Sequence, residues 1–289
     1  MPLLKVIVLA IVQGLAELLP VSSSAHVVVA EKLLGLDPSS PPMTLLLVML
    51  HTGTMLAVIA YFWPQWRATY FRSAAAFRTF AVLIVIATAC TAVIGFGLVR
   101  IIEKTLLRGV PHAEIEDLFS HLEFIAPAHA AVGVLILIAG LSERRQAERP
   151  PAGADDVNVK RAGVIGAVQG LSLPFRGFSR SGATISTGML LGVAKSRAEA
   201  FSFALAVVLT PPVVAREVMR LVRSVHAGGT ADLASAALVS VIGALVALVA
   251  GLLALRWLSR WLEGGRWYLF GIYCLAAAAA VTFLHRAGY

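Results

Sequence analysis

Charge is scarce in this sequence. Asp, Glu, Lys and Arg together make up 14% of its 289 residues, where soluble domains carry about 25%. So little charge cannot keep a surface in water, which excludes an ordinary soluble enzyme and, with 58% hydrophobic residues, a disordered chain. Cysteine is nearly absent. Cys90 and Cys274 each lie inside an apolar run and read as small buried hydrophobes, which excludes a disulfide framework or a thiolate metal site. Acidic residues are the rarer charge, 16 against 24 basic, for a net +8. That balance would suit nucleic acid in a soluble protein, but no basic stripe interleaved with aromatics accompanies it, and nucleic acid is excluded as a partner. The excess instead matches loops that orient a chain in a membrane and meet anionic headgroups, so membrane lipids are the expected surroundings.

What the sequence has in abundance is long apolar runs, with a mean hydropathy of +0.84. Six runs, 43–62, 78–99, 123–141, 198–219, 234–256 and 266–285, are near the roughly 20 residues that a helix needs to cross a bilayer. Two others, 2–36 and 161–195, are broken in the middle by Leu19-Pro20-Val21-Ser22-Ser23-Ser24 and by Pro174-Phe175-Arg176-Gly177-Phe178-Ser179-Arg180-Ser181-Gly182. Irregular backbone at membrane depth survives only where protein or a wet cavity satisfies it. Both regions are therefore expected as re-entrant pairs of half-helices. Lys5 and the apolar stretch after it are interrupted by Gln13, Glu17 and Pro20, with no small-residue cleavage site following, so no removable signal peptide is expected. Trp63, Trp66, Trp257, Trp261 and Trp267 stand at span ends, where interface anchors belong.

The broken regions match each other. Val12-Gln13-Gly14-Leu15 recurs as Val168-Gln169-Gly170-Leu171 at an offset of 156, and Leu33-Leu34-Gly35 as Leu190-Leu191-Gly192 at 157. Residues 1–141 and 161–289 then form two repeats, each a re-entrant pair followed by three spans, joined by a polar linker at 142–160. Three crossings per repeat make the second enter from the opposite side. The expected fold is an all-α polytopic membrane protein with an inverted-topology repeat. Counting Lys and Arg in the connections places nine on the side of the N-terminus and thirteen on the other, so both termini are expected outside.

Ionisable groups at membrane depth cost about 3 kcal/mol each and default to function. Gln13 and Glu17, four residues apart, share a helix face; so do Ser23 and His26, three apart. Ser22 or Ser23 could equally be helix N-caps. Arg180 sits between Ser179 and Ser181 with Gly182 next, at an expected helix start. Free amides, close backbone approach and a guanidinium fork describe an oxyanion cradle, although an arginine tying down the opposite loop is the plainer alternative. Together these groups form a phosphoryl-transfer inventory: hydroxyl, imidazole, carboxylate and cation.

At these residues the chain resembles the bacterial undecaprenyl-diphosphatase family, the bacitracin-resistance integral membrane phosphatases. That family carries an (E/Q)-x-x-x-E segment running into P-V-S-S-x-x-H, and a second P-G-x-S-R-S-G-A-T motif. Here they stand as Gln13 to Glu17, Pro20-Val21-Ser22-Ser23-Ser24-Ala25-His26 and Gly177-Phe178-Ser179-Arg180-Ser181-Gly182-Ala183-Thr184, with Phe201-Ser202-Phe203 following. The resemblance implies hydrolysis of the lipid undecaprenyl diphosphate at the outer face of the bacterial inner membrane, assisted by a divalent cation, Mg²⁺ or Ca²⁺. It assigns catalysis to Glu17, Ser23, His26 and Arg180. It assigns phosphate binding to Ser22, Ser179, Arg180, Ser181, Gly182 and Thr184, and the metal to Gln13 and Glu17. It further implies that bacitracin competes for the substrate, and it leaves room for a homodimer. Two positions depart: Gln13 replaces the commoner Glu, and Arg176 stands where Pro is usual before Gly177.

Ser23 as nucleophile, His26 as its base, Arg180 on the phosphate and Glu17 on metal or orienting His26 is the expected division of labour. Attack by His26, or by water activated by Glu17, fits the same residues. The type 2 phosphatidic acid phosphatase pattern, S-R-x5-H-x3-D, does not fit, because Ser186 and Leu190 occupy the positions it needs. A polyprenyl-phosphate transporter would share the repeat architecture without needing a Ser/His pair beside Arg and Glu. A purely structural module would leave those buried polar groups without purpose.

Overall fold

The computed structural model describes residues 2–36, 40–105, 122–147, 156–226 and 233–287, and among these ten α-helices carry the regular structure. Five are long and apolar enough to cross a membrane: α3 (Pro41–Thr69), α4 (Ala74–Thr105), α5 (Leu122–Ala147), α9 (Leu233–Glu263) and α10 (Tyr268–Arg286). The protein is thus an all-α multi-pass membrane protein. Most of these helices run beyond the expected spans into polar flanks; the start of the expected linker at 142 lies inside α5, and residues 148–155 lie outside the described residues. The sixth expected span, 198–219, is helical within α8 (Lys195–His226), several of whose side chains are also outside the described set.

Both broken regions are broken helices. α1 (Leu3–Leu18) and α2 (Ser23–Leu34) form one pair, α6 (Val159–Leu171) and α7 (Arg180–Leu190) the other. At about 1.5 Å per residue, none of the four reaches 30 Å, so none spans alone. α1 stops because Pro20 pushes Leu19 out of the helical region, to ψ 153. α6 starts on Asn158, whose side chain accepts from the Arg161 amide, and stops ahead of Pro174. The second members end by the same device. Leu36 N–H donates to Glu31 C=O around Gly35, at φ 60, and Val193 N–H donates to Gly188 C=O around Gly192, at φ 76. These are Schellman closures that need a left-handed residue, which explains why Leu-Leu-Gly recurs.

The chain forms two compact units: Met1–Leu19, Ser23–Trp63 and Ala206–Leu258 in the first, Pro20–Ser22, Pro64–Leu205 and Ser259–Tyr289 in the second. The first has a core of Val6, Leu9, Ala10, Val27, Met43, Leu46, Leu50 and Ala247. Within it α1 lies directly on α9: a Cβ at Gly14 would stand 2.6 Å from Ala250 Cβ and 2.7 Å from Ala247 O. In the second unit α6 lies on α4 in the same way. A Cβ at Gly170, the repeat counterpart of Gly14, would meet Ile94 Cβ and Thr91 O, both at 2.9 Å. Each half therefore lends its first half-helix to the second span of the other half. Gln169 Nε2 donates to Thr91 Oγ1 at 3.1 Å, and Thr91 Oγ1 lies 2.8 Å from Gly166 O, adding polar ties to this contact.

Two of the five tryptophans do not serve as interface anchors. Trp66 is buried and donates to Ala200 C=O at 3.1 Å; Trp267 is fully buried and donates to Ser186 Oγ at 2.9 Å. An indole pays no polar penalty inside the fold once its N–H has a partner. Trp63 and Trp257 remain exposed. Cys90 and Cys274 are free thiols, and Cys274 is buried, donating to the Pro20 carbonyl at 3.4 Å.

Candidate functional site

In the first unit, the helical spacing of Gln13 and Glu17 becomes a contact. Gln13 Nε2 donates to Glu17 Oε2 at 3.3 Å, and the same oxygen accepts the Ser23 hydroxyl at 2.5 Å. Leu19–Ser22 is short enough to fold Ser23, in the first turn of α2, back onto the last turn of α1. Ser23 thus donates a hydrogen bond to Glu17, the residue expected on the metal or orienting His26. His26 is half-buried one turn further along α2.

Ser22, directly before α2, is buried with φ 65. A left-handed backbone at a non-glycine residue costs about 1–3 kcal/mol and persists only where surroundings enforce it. In this case the surroundings belong to the second unit. The Pro20 carbonyl, two residues earlier, lies 3.2 Å from where a Cβ at Gly182 would stand. The first broken loop therefore touches the second motif, and glycine at 182 is what admits it.

Ser179 caps α7, its hydroxyl accepting from the Gly182 amide at 3.2 Å and lying 3.4 Å from Ser181 Oγ. Arg180 follows as the first residue of α7 and sits half-buried, its guanidinium carbon 5.9 Å from the centre of the Phe203 ring. Thr184 donates to the Arg180 carbonyl at 2.8 Å and meets Ser202 Oγ at 2.6 Å, with no exposed surface. Gly177, at φ 101, turns the loop where a side chain would strike Ile125 O at 2.5 Å. Arg176, just before it, is half-buried.

Burial divides these residues into two sets. Glu17, Ser23, His26 and Arg180 are all partly accessible; Gln13, Ser22, Ser179, Ser181, Gly182 and Thr184 are buried. The four residues expected to be catalytic are thus partly accessible, while those expected to bind phosphate are buried except for Arg180. Thr184 and Ser179 spend hydroxyl contacts on α7 itself, so they shape the loop as well as lining it. Ser202 and Phe203 were visible in the sequence only as part of a matching tripeptide, because nothing in an apolar run says which neighbouring helix it faces.

A hard divalent cation takes six or more oxygens. Among the described residues no group of three or more His, Cys, Asp or Glu side chains could hold a metal. Glu17 and Gln13 supply one carboxylate and one amide, and Glu17 Oε2 already accepts two hydrogen bonds. These residues suit a cation that brings most of its oxygens with it, and no resident metal fits them.

The chain is 54% identical to undecaprenyl-diphosphatase 2 of Acinetobacter baylyi over 98% of both chains. It is 34% identical to undecaprenyl-diphosphatase of Desulfosudis oleivorans over 93% of both, and 30% identical to that of Rhodopirellula baltica over 98% of both. The family model described as bacitracin resistance protein BacA matches residues 6–280, a stretch that takes in both broken loops, four of the spanning helices and most of the fifth. With nearly the whole chain and both loop motifs inside that match, the chain belongs to the bacitracin resistance protein BacA family.

Proposed function

We propose that this protein is a membrane phosphatase that hydrolyses undecaprenyl diphosphate to undecaprenyl phosphate and inorganic phosphate, returning the lipid carrier to cell-wall synthesis. The relatives' names support the substrate, and the observation that carries the chemistry is the Ser23 hydroxyl donating into the Glu17 carboxylate. A carboxylate accepting a serine proton is a base for a nucleophile. Ser23 Oγ attacks the terminal phosphorus, its proton passes to Glu17, and undecaprenyl phosphate leaves. Water then cleaves the phosphoserine, His26 taking the water's proton while Glu17 returns its own to the departing Ser23 Oγ. Arg180, at the positive end of α7, takes the negative charge that grows on the phosphoryl oxygens.

A divalent cation, Mg²⁺ or Ca²⁺, would neutralise diphosphate charge, held by substrate oxygens together with Glu17 and Gln13. The repeat is inverted, the membrane is the bacterial inner membrane, and the site faces the periplasm. Competition by bacitracin for the lipid diphosphate and a homodimeric assembly complete the proposal, both resting on the family resemblance. Phosphate release by detergent-purified protein from prenyl diphosphates, with Mg²⁺, Ca²⁺ or EDTA, is the direct test. Release that depends on the cation is expected. No release under any metal condition would reject the phosphatase in favour of a polyprenyl-phosphate transporter.

A further inference from the structure

The contact between Arg180 and Phe203 has a chemical logic of its own. A guanidinium is a flat cation whose five N–H donors lie in its plane, leaving its faces poorly hydrated. An aromatic ring set against that face offsets part of the lost hydration without occupying a donor. The guanidinium carbon is 5.9 Å from the Phe203 centroid, and the ring is fully buried. The neighbouring residue on α8 repeats the connection through polar groups. Ser202 Oγ and Thr184 Oγ1 are 2.6 Å apart, and Thr184 donates to the Arg180 carbonyl at 2.8 Å. Thr184 has one proton, so with that proton on the carbonyl it is Ser202 that donates to Thr184. Consecutive residues of α8 thus hold the backbone and the side chain of the same arginine.

We infer that Phe203 is a positioning residue for phosphate recognition, its ring orienting the Arg180 guanidinium toward a diphosphate. The inference rests on the phosphatase reading for the identity of the ligand, and its physical content is the interaction of cation and ring. Replacing Phe203 with its mono-, di- and trifluorinated analogues keeps the shape of the side chain while draining electron density from the ring face. The full-length protein in detergent should lose kcat/KM for a prenyl diphosphate stepwise, reaching about tenfold at the trifluoro analogue. Its melting temperature should not move. Binding of inorganic pyrophosphate, read by thermal shift, should weaken in parallel. Protein that binds pyrophosphate with this fluorine dependence but releases no phosphate keeps the role of Phe203 and loses the phosphatase. Protein that hydrolyses lipid diphosphate equally well across the series keeps the phosphatase and overturns the role of Phe203.

Discussion

Gln13 and Ser23 both donate to one oxygen of Glu17. Those bonds orient the carboxylate and commit it to the serine proton. Glu17→Gln keeps the volume and removes the proposed base, so kcat should fall by about 10²- to 10⁴-fold with the protein still folded. Ser23→Ala should cost about a thousandfold or more; phosphate release within a few fold of the parent would make Ser23 a helix-start residue and leave attack to water or His26. Gln13 offers a separate test. Gln13→Glu places a second carboxylate beside Glu17, and the Mg²⁺ concentration for half-maximal phosphate release should drop about tenfold. An unchanged metal titration removes position 13 from cation binding. The residue types of this site were legible in the sequence, since an ionisable side chain in an apolar run stands out. The identity of each hydrogen-bond partner was not: Ser23 is three residues from His26 and six from Glu17, and only the tight turn at Leu19–Ser22 shows that the more distant residue receives the proton.

The broken helices show why the architecture could be read further than the contacts. Pro20 ends the first half-helix by local sterics, α6 stops shortly before Pro174, and Gly35 and Gly192 close the second members with left-handed turns, so sequence punctuation and structure coincide. The docking of α1 on α9 and of α6 on α4 depends on partners more than 70 residues away, and no local signal names them. The same reasoning isolates Gly177. It combines φ 101 with an Ile125 carbonyl 2.5 Å from any added Cβ, so Gly177→Ala meets backbone strain and a clash that no side-chain rotation relieves. About 1–3 kcal/mol of strain is expected. The variant should melt several degrees lower in detergent and lose most of its turnover, because the displaced residue lies three positions before Arg180. Gly97→Ala is the control. It lies within α4 with nothing within 4 Å of the added carbon, and should be neutral or slightly stabilising.

Two half-helix pairs that end alike, and that dock through matched glycines onto the second span of the opposite half, describe a chain built twice. Inversion turns that likeness into a statement about sides. If the proposed inverted repeat is right, with three crossings after each re-entrant pair, Lys104 and Arg286 lie on one face, while Arg145 and Lys160 lie on the other. Single cysteines introduced into a Cys90→Ser, Cys274→Ser background test this in intact cells. Lys104→Cys and Arg286→Cys, at exposed positions, should react with a membrane-impermeant maleimide from outside. Arg145→Cys and Lys160→Cys, equally exposed, should react only after permeabilisation. If Lys104→Cys and Lys160→Cys label from the same side, the halves are parallel. The two broken loops could not then enter the membrane from opposite faces, and the proposed inversion would be rejected. If all four label as expected except with the faces exchanged, the repeat stands and the site faces the cytoplasm. The Lys and Arg asymmetry of nine against thirteen favours the periplasmic face.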